Sequence, residues 1–448
     1  MDAALRRMKQ EAMECLTENI LPFWLEKMQD SEHGGWYGRM DGHGQLYPQA
    51  EKGAILNARI LWSLSAAYRL LWGECDGKYQ DICQRCMAAA TRTKDYFLRH
   101  FIDRERGGVF WSVDYLGRPL ETKKQTYAIG FAIYGLSEYA RICGDQEALH
   151  VALQLFEVLE QHTCDHEYGG YIEALTRTWQ PIRDMRLSTK DENFPKSQNT
   201  HLHVIEPYTN LLRTCKELSC EELPCKELPC QELPCQELPC KEFRLLCRDS
   251  IAAIENRIAT LITLFTDRLL NPTTHHLDLF FQMDWTRMST TASYGHDIEC
   301  SWLLHEAALV LGDAAVREKV EPVVRQVAAA SEEGLLPCGA MIHESGDPDL
   351  HWWVQAEAVV GFLNIYQHFG DEAALEKALR LWGFIKDNLV DHELGEWYWS
   401  LKPEDHNRPF DSPYSVNRDE DHAGFWKCPY HNSRMCLEII ERCNILLK

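Results

Sequence analysis

Asp30-Ser31-Glu32-His33-Gly34-Gly35-Trp36 is the first copy of a pattern that returns as Asp103-Gly107-Gly108-Val109, Asp165-Gly169-Gly170-Tyr171 and Asp391-Gly395-Glu396-Trp397. In each copy an Asp is followed after three residues by Gly, then Gly or Glu, then an aromatic or apolar residue. The glycines supply the positive φ of a tight turn, and the residue that follows favours a short extended ribbon. The step from Asp30 to Asp103, and on to Asp165, is the size of one helix pair with its connecting ribbon. Between and around the copies, apolar residues recur at helical spacing over 2–24, 53–72, 82–102, 125–143, 146–163, 199–217, 243–270, 295–312, 314–330, 350–369, 371–390 and 428–446. Six such pairs predict an all-α fold: an (α/α)6 barrel of about twelve helices, with short β-ribbons in the connecting loops and inner helices lining a funnel. A helical solenoid is the rival. Closure is favoured because neither end segment reads as a polar capping repeat.

One stretch breaks the pattern. From Cys215 to Cys240 a Cys stands at every fifth position inside a repeated ELPCK/Q unit, and Pro224, Pro229, Pro234 and Pro239 preclude a regular helix there. A tandem repeat tolerated between two helices explains it more simply than a metal or redox strip, so residues 1–448 read as one catalytic domain with a low-complexity insertion at about 215–240. The formal net charge of −22 opposes a phosphate backbone, so no nucleic-acid partner is expected. No run is long and apolar enough to span a bilayer, and the N-terminal segment carries charges throughout rather than the apolar stretch of a secretory signal. The reading is a cytoplasmic protein with reduced thiols and no membrane partner.

Five segments concentrate polar and aromatic groups. In Ser293-Tyr294-Gly295-His296-Asp297-Ile298-Glu299-Cys300-Ser301-Trp302, the side chains of His296, Glu299 and Trp302 fall near one face at a helix N-terminus, where backbone N–H groups favour developing negative charge. In His351-Trp352-Trp353-Val354-Gln355-Ala356-Glu357, Trp353 and Glu357 share a face one turn apart. Trp426-Lys427-Cys428-Pro429-Tyr430-His431 leads into a helix with Pro429 in its first turn, which sets His431 at the N-terminal mouth. Ser188 to Asp191 leads to Asn199-Thr200-His201-Leu202-His203-Val204-Ile205-Glu206, with Asn199, His203 and Glu206 on one face. Arg59 sits on the otherwise apolar helix around Ile55–Trp62 and requires a buried anionic or polar partner. No dinucleotide fingerprint, Walker loop or HExxH motif is present, so no cofactor is expected. His162, Cys164 and His166 offer metal donors, but their spacing is weak evidence and no metal is assigned.

Together these blocks resemble the N-acylglucosamine 2-epimerase superfamily, most closely its cellobiose 2-epimerase branch. The resemblance runs from Lys52–Trp62 through Lys196–Arg213, Tyr294–Glu306 and Trp352–Phe362 to Trp426–Arg434. It implies a cofactor-independent 2-epimerase acting on the reducing-end glucose of a β-1,4-linked disaccharide. His296 and His431 would be the acid/base pair, with Arg59 and Glu299 beside the reacting carbons. Tyr127, Asn199, His203 and Glu357 would be further polar contacts, Trp302, Trp353 and Trp426 sugar platforms, and Asp191 a contact to the second ring. An oligosaccharide substrate and a monomer or weak homodimer are implied. The sequence departs from the family pattern at Ile129, Gln282, His351, where Lys is frequent, and Pro207, which interrupts a usually smooth helix. Two alternatives stand beside this reading: a monosaccharide or N-acylglucosamine 2-epimerase or aldose–ketose isomerase on the same fold, and an inverting glycoside hydrolase using Glu299 and Glu357.

Overall fold

The recurring Asp caps its own turn. Asp30 Oδ1 accepts the N–H groups of Glu32 and His33, and its Oδ2 takes the buried ammonium of Lys52 at 2.6 Å, which also donates to the Gly34 carbonyl. Asp103 with Lys124 and Asp165 with Lys196 repeat the arrangement at 2.9 and 2.6 Å. In the copy at Asp391 the second glycine is replaced by Glu396, which holds a left-handed φ of 69° and itself receives Lys427 at 2.6 Å. Each turn closes with a β-bridge, at Gln29–Trp36, Ile102–Val109, Cys164–Tyr171 and Val390–Trp397. Two further bridges, Leu270–Leu277 and Leu335–Met341, mark copies without the sequence signature. Asn271 stands in for Asp in the first of these, capping Thr273 and Thr274, and His275 takes the left-handed position at φ 62°.

The structure, a computed structural model, describes residues 1–73, 77–188, 191–219, 241–405 and 413–448. Its twelve main helices are α1 (Asp2–Glu14), α2 (Ala54–Gly73), α3 (Gln80–His100), α4 (Thr126–Cys143), α5 (Gln146–His162), α6 (Gln198–Ser219), α7 (Lys241–Leu264), α8 (Tyr294–Leu311), α9 (Ala314–Ser331), α10 (Trp352–Phe369), α11 (Glu372–Asn388) and α12 (Tyr430–Leu446). The even-numbered helices are buried almost all round; in α4 every residue except Arg141 is buried. The odd-numbered ones bury a single stripe, as α5 does with Leu149, Leu153 and Phe156. Neighbouring inner helices pack in sequence order, α12 packs back on α2, and α1 covers α12 from outside. The ring is therefore closed, as expected. Three of the inner-to-outer links are a Gly-Asp pair: Gly144, Gly312 and Gly370 end one helix in the left-handed conformation, and Asp145, Asp313 and Asp371 cap the next.

At the other end, the two residues before α2, α4, α6 and α10 are short strands, each paired antiparallel with the ribbon of the following unit (Lys52 with Val113, Lys124 with Leu175, Lys196 with Phe281, Leu350 with Leu401). These ribbons fix where the inner helices begin. The Cys repeat joins α6 to α7. Cys215 is itself part of α6, whereas residues 220–240 lie outside the described residues; the flanking helix ends are at the barrel end opposite the ribbons.

The lysine ties give a direct test of the turn architecture. Lys196→Met leaves Asp165 buried opposite an apolar side chain, and an uncompensated buried charge costs about 3–5 kcal/mol. Denaturant unfolding should show a loss of that size; a loss under about 1 kcal/mol would mean that solvent replaces the ammonium.

Candidate active site

Because the inner helices start at the ribbons, the polar residues of their first two turns converge. Arg59, Tyr127, Asn199, His203, His296, Glu299, Trp353 and His431 line one cavity of about 360 Å³, with Asp191 and Trp426 in its wall. A side chamber of about 150 Å³ opens past Asp191, Asn199 and His296. Ten of the residues named from sequence thus meet in one space.

Trp353 sits between the two distant histidines, its ring centre 4.8 Å from that of His296 and 5.6 Å from that of His431. His431 Nδ1 lies 2.7 Å from Glu357 Oε1, so that nitrogen carries the hydrogen and donates it, leaving Nε2 as the basic atom. His296 Nδ1 is 2.8 Å from the Ser293 hydroxyl. Burial pushes both histidines well below their ordinary value of 6.5, for His296 with help from the neighbouring histidines and for His431 from Arg59 and Arg434. Both rings are therefore neutral at neutral pH, the form in which imidazole accepts a proton.

Arg59 donates to the Tyr127 hydroxyl at 2.7 Å and lies over the rings of Phe131 and Tyr430, at 4.1 and 4.5 Å. The buried partner its sequence position demands is thus a phenol and aromatic faces. His203 owes its orientation to Pro207, which has no N–H for the His203 carbonyl; the helix departs from regular geometry at His203 (φ −88°, ψ 18°). Gly130 of α4 makes room for that carbonyl, because a Cβ there would stand 2.5 Å from its oxygen.

Beneath the cavity lies a charged layer that sequence reasoning missed. Arg434 is fully buried and donates to Glu299 at 2.7 Å, to Glu357 at 2.6 Å, and to Glu206 and the Tyr430 hydroxyl. Burial alone would raise Glu206, but Arg434 and the His203 hydrogen bond outweigh it and hold the carboxyl at about 2. Glu299 goes the other way: burial and the charge of Glu357 push it well above the ordinary carboxylate range despite Arg434. Its Oε2 is buried at the cavity floor without a hydrogen-bond partner, 4.0 Å from His203 Nε2. A protonated Glu299 is a donor aimed into the cavity.

Two placements correct the sequence reading. Trp302 is 1% exposed, donates to Glu357 Oε2 at 3.0 Å and lies under the Arg434 guanidinium, so it is a wall of the charged layer and not a sugar platform. Glu357 is fully buried behind His431 and reaches the cavity only through that ring. The same geometry weighs against an inverting hydrolase. Glu299 and Glu357 present oxygens within 4.8 Å of each other on one cation, whereas inverting carboxylates stand ~6.5–9.5 Å apart across the sugar. Thr189 and Lys190, in the segment that leads to Asp191, lie outside the described residues; Asp191 itself accepts from the Ser188 N–H and hydroxyl, both at 2.8 Å. His162 stacks on Trp179, and among the described residues it forms no metal-binding cluster with Cys164 and His166.

The family model for N-acylglucosamine 2-epimerase matches residues 22–206 and 252–414. The chain belongs to the N-acylglucosamine 2-epimerase family. Within it, the chain is 49% identical to a cellobiose 2-epimerase of Bacteroides fragilis over 97% of its own length and 98% of the relative's. It is 37% identical to a cellobiose 2-epimerase of Ruminococcus albus over 95% and 97% of the two chains. The cellobiose 2-epimerase structure from Bacillus thermoamylovorans superposes with a TM-score of 0.80 at 34% identity, covering 98% of this chain and all of that one. Membership in the 2-epimerase family accords with the closed barrel.

Proposed function

We propose that the whole chain is one catalytic unit that epimerises cellobiose and related β-1,4-linked disaccharides at C2 of the reducing-end glucose, giving the mannose epimer. The observation that carries this reading is the pair of neutral imidazoles on either side of Trp353 in one cavity. In the ring-opened sugar the C1 carbonyl acidifies the C2 proton. One of His296 and His431 takes that proton, the C2–H electrons move into the C1–C2 bond, and the carbonyl pair moves onto O1, giving a cis-enediolate. Arg59 and the protonated Glu299 donate to its oxygens. The other histidine, neutral in the free protein, takes a proton from solvent once the anionic enediolate lies beside it and delivers that proton to the opposite face of C2, which inverts the centre. The first histidine returns its proton to solvent, and both rings are neutral again. Trp353 and Trp426 offer apolar faces to the sugar, while Tyr127, Asn199 and His203 bind its hydroxyls and Asp191 the second ring. Glu357 acts through His431 by fixing its tautomer. No step requires a cofactor. The described cysteines are free thiols, which suits a reducing cytoplasm.

Incubation with cellobiose in deuterated water should give 4-O-glucosyl-mannose carrying deuterium at C2, with activity unchanged after EDTA treatment. Conversion without deuterium would point to a hydride shift, a keto product to an isomerase, and released glucose to a hydrolase.

The Cys repeat has no part in this scheme, since the helix ends that flank it are at the far end of the barrel. Shortening residues 220–240 to a few polar residues changes mainly loop-closure entropy, which varies slowly with length. Steady-state kinetics should match the full chain, with at most a modest change in Tm; a large loss of turnover with an unchanged circular dichroism spectrum would give the repeat a function.

A further inference from the structure

At the cavity mouth, the segment between the Leu335–Met341 bridge and α10 brings three metal-type donors together. His343 Nδ1 stands 3.3 Å from Asp347 Oδ2, and His351 Nε2 stands 3.9 Å from the same oxygen. The two imidazoles stack at 4.6 Å with only 10° between their planes, and one ligand atom from each of the three residues lies within 4.8 Å of the others. The turn prepares this arrangement. Gly346 at φ 96° and the Glu344–Asp347 bridge fold the segment back on itself, and the Asp349 N–H occupies Asp347 Oδ1. Oδ2 is then the oxygen that faces both histidines. Without an ion, His343 Nδ1 donates to Asp347 Oδ2 at 3.3 Å. An ion bound there takes the place of that hydrogen, and Glu344 Oε1, 3.5 Å from His343 Nε2, is placed to accept the hydrogen when it moves to that nitrogen.

We propose that His343, Asp347 and His351 form a binding site for a borderline divalent transition ion of the Zn²⁺ class, and that its occupancy lowers turnover. Two imidazoles and one carboxylate suit zinc, cobalt or nickel and not the oxygen-seeking magnesium or calcium. Metal bonds of ~2.0–2.1 Å need donors about 3.4 Å apart. The His343 and Asp347 atoms already stand at 3.3 Å, and His351 has to approach from 3.9 Å and turn its ring out of the stack, within reach of side-chain torsions in a partly exposed turn. The side chains of His343, His351 and Asp347 are 18%, 16% and 38% exposed, which gives the ion a path from solvent. Binding needs no redox step. The effect on turnover follows from His343, whose ring is part of the cavity wall, 6.4 Å from that of His296 and 5.4 Å from that of Trp353. An ion holding it fixes the mouth of the cavity. The site is separate from the carboxylates Glu299 and Glu357, whose shared charge Arg434 already meets.

The test is a Co²⁺ titration of the EDTA-stripped full chain beside Asp347→Asn and His351→Lys, the second of which puts an ammonium where the ion would sit. Thiolate-bound cobalt carries an intense near-ultraviolet sulfur band; the proposed site adds visible d–d absorption without it. Wild type should show this increment, saturating at one ion per chain, and both variants should lack it. The same increment in all three proteins, or none in the wild type, overturns the site. A second arm adds Zn²⁺ during epimerisation: turnover of the wild type should fall several-fold and recover with EDTA, and both variants should resist. Equal inhibition of all three overturns the effect on turnover. Only this arm rests on the proposed activity, so failure of the epimerase reading and failure of the metal site are distinguishable.

Discussion

Replacing His431 or His296 by Ala should reduce turnover by roughly 10²–10⁴-fold while the circular dichroism spectrum and Tm stay near those of the wild type, because a placed proton-transfer group is worth about that much. The two act in one exchange, so the double variant should be little worse than the more impaired single one. Either folded variant retaining most of its activity would exclude that residue from the chemistry. The pH profile gives an independent check. Both rings titrate well below 6.5, since burial favours the neutral form, so kcat/KM should hold its plateau down through pH 6.5 and fall only at more acidic values. A limb centred at the ordinary histidine value would mean that neither buried ring is the limiting base.

Arg434→Leu should be the most damaging single change in the charged layer. It leaves Glu206, Glu299 and Glu357 buried without their shared cation, and a broken buried ion pair costs about 3–5 kcal/mol. Protons taken up by the carboxylates offset part of this, so the loss should be smaller at pH 5 than at pH 8. Turnover should fall as well, because Glu357 orients His431 only while Arg434 holds it. Arg434→Lys separates the two effects: it restores charge but not the fork that reaches three carboxylates, so stability should recover more than kcat. An Arg434→Leu protein with unchanged stability and activity would show that the layer is inert.

How far the sequence could be read follows from the same residues. Four turn copies were visible because glycine or a following aromatic marks them; the copies at Asn271 and Leu335 were not, since Asn and His fill the first and the second is shorter. The twelve helices are legible from apolar spacing: at the Gly-Asp links the ends agree to within one residue, and the larger displacements are at the C-terminal ends of α1 and α7, which run on into π-helical turns such as Trp24–Met28 and Phe265–Leu269. For the site, sequence spacing found the residues of the first two helical turns but could not tell which face of the inner ring each meets. Trp302 lies well over one helical turn deeper than His296. Glu357, by contrast, stands at the same helical position as Arg59, His203 and Glu299 and leaves the cavity by the direction of its carboxylate, which turns onto Trp302, Arg434 and the back of His431. Arg434 carries the signal that singles out Arg59, a guanidinium on a buried helix, three residues beyond His431.

The seam of the barrel is the pairing of α1 with α12, two helices from opposite ends of the sequence that lie side by side. Five helix pairs are continuous in the chain and the sixth is assembled across the seam. In topological terms the ring is indifferent to where it is cut: a short linker joining the helices of the seam would make that pair continuous, and a cut within 220–240 would move the opening to α6 and α7. Such a circular permutant keeps every inner-helix contact and every residue of the cavity. The position where the repeat has been inserted is thus one at which the covalent order of the chain is decoupled from the geometry of the site.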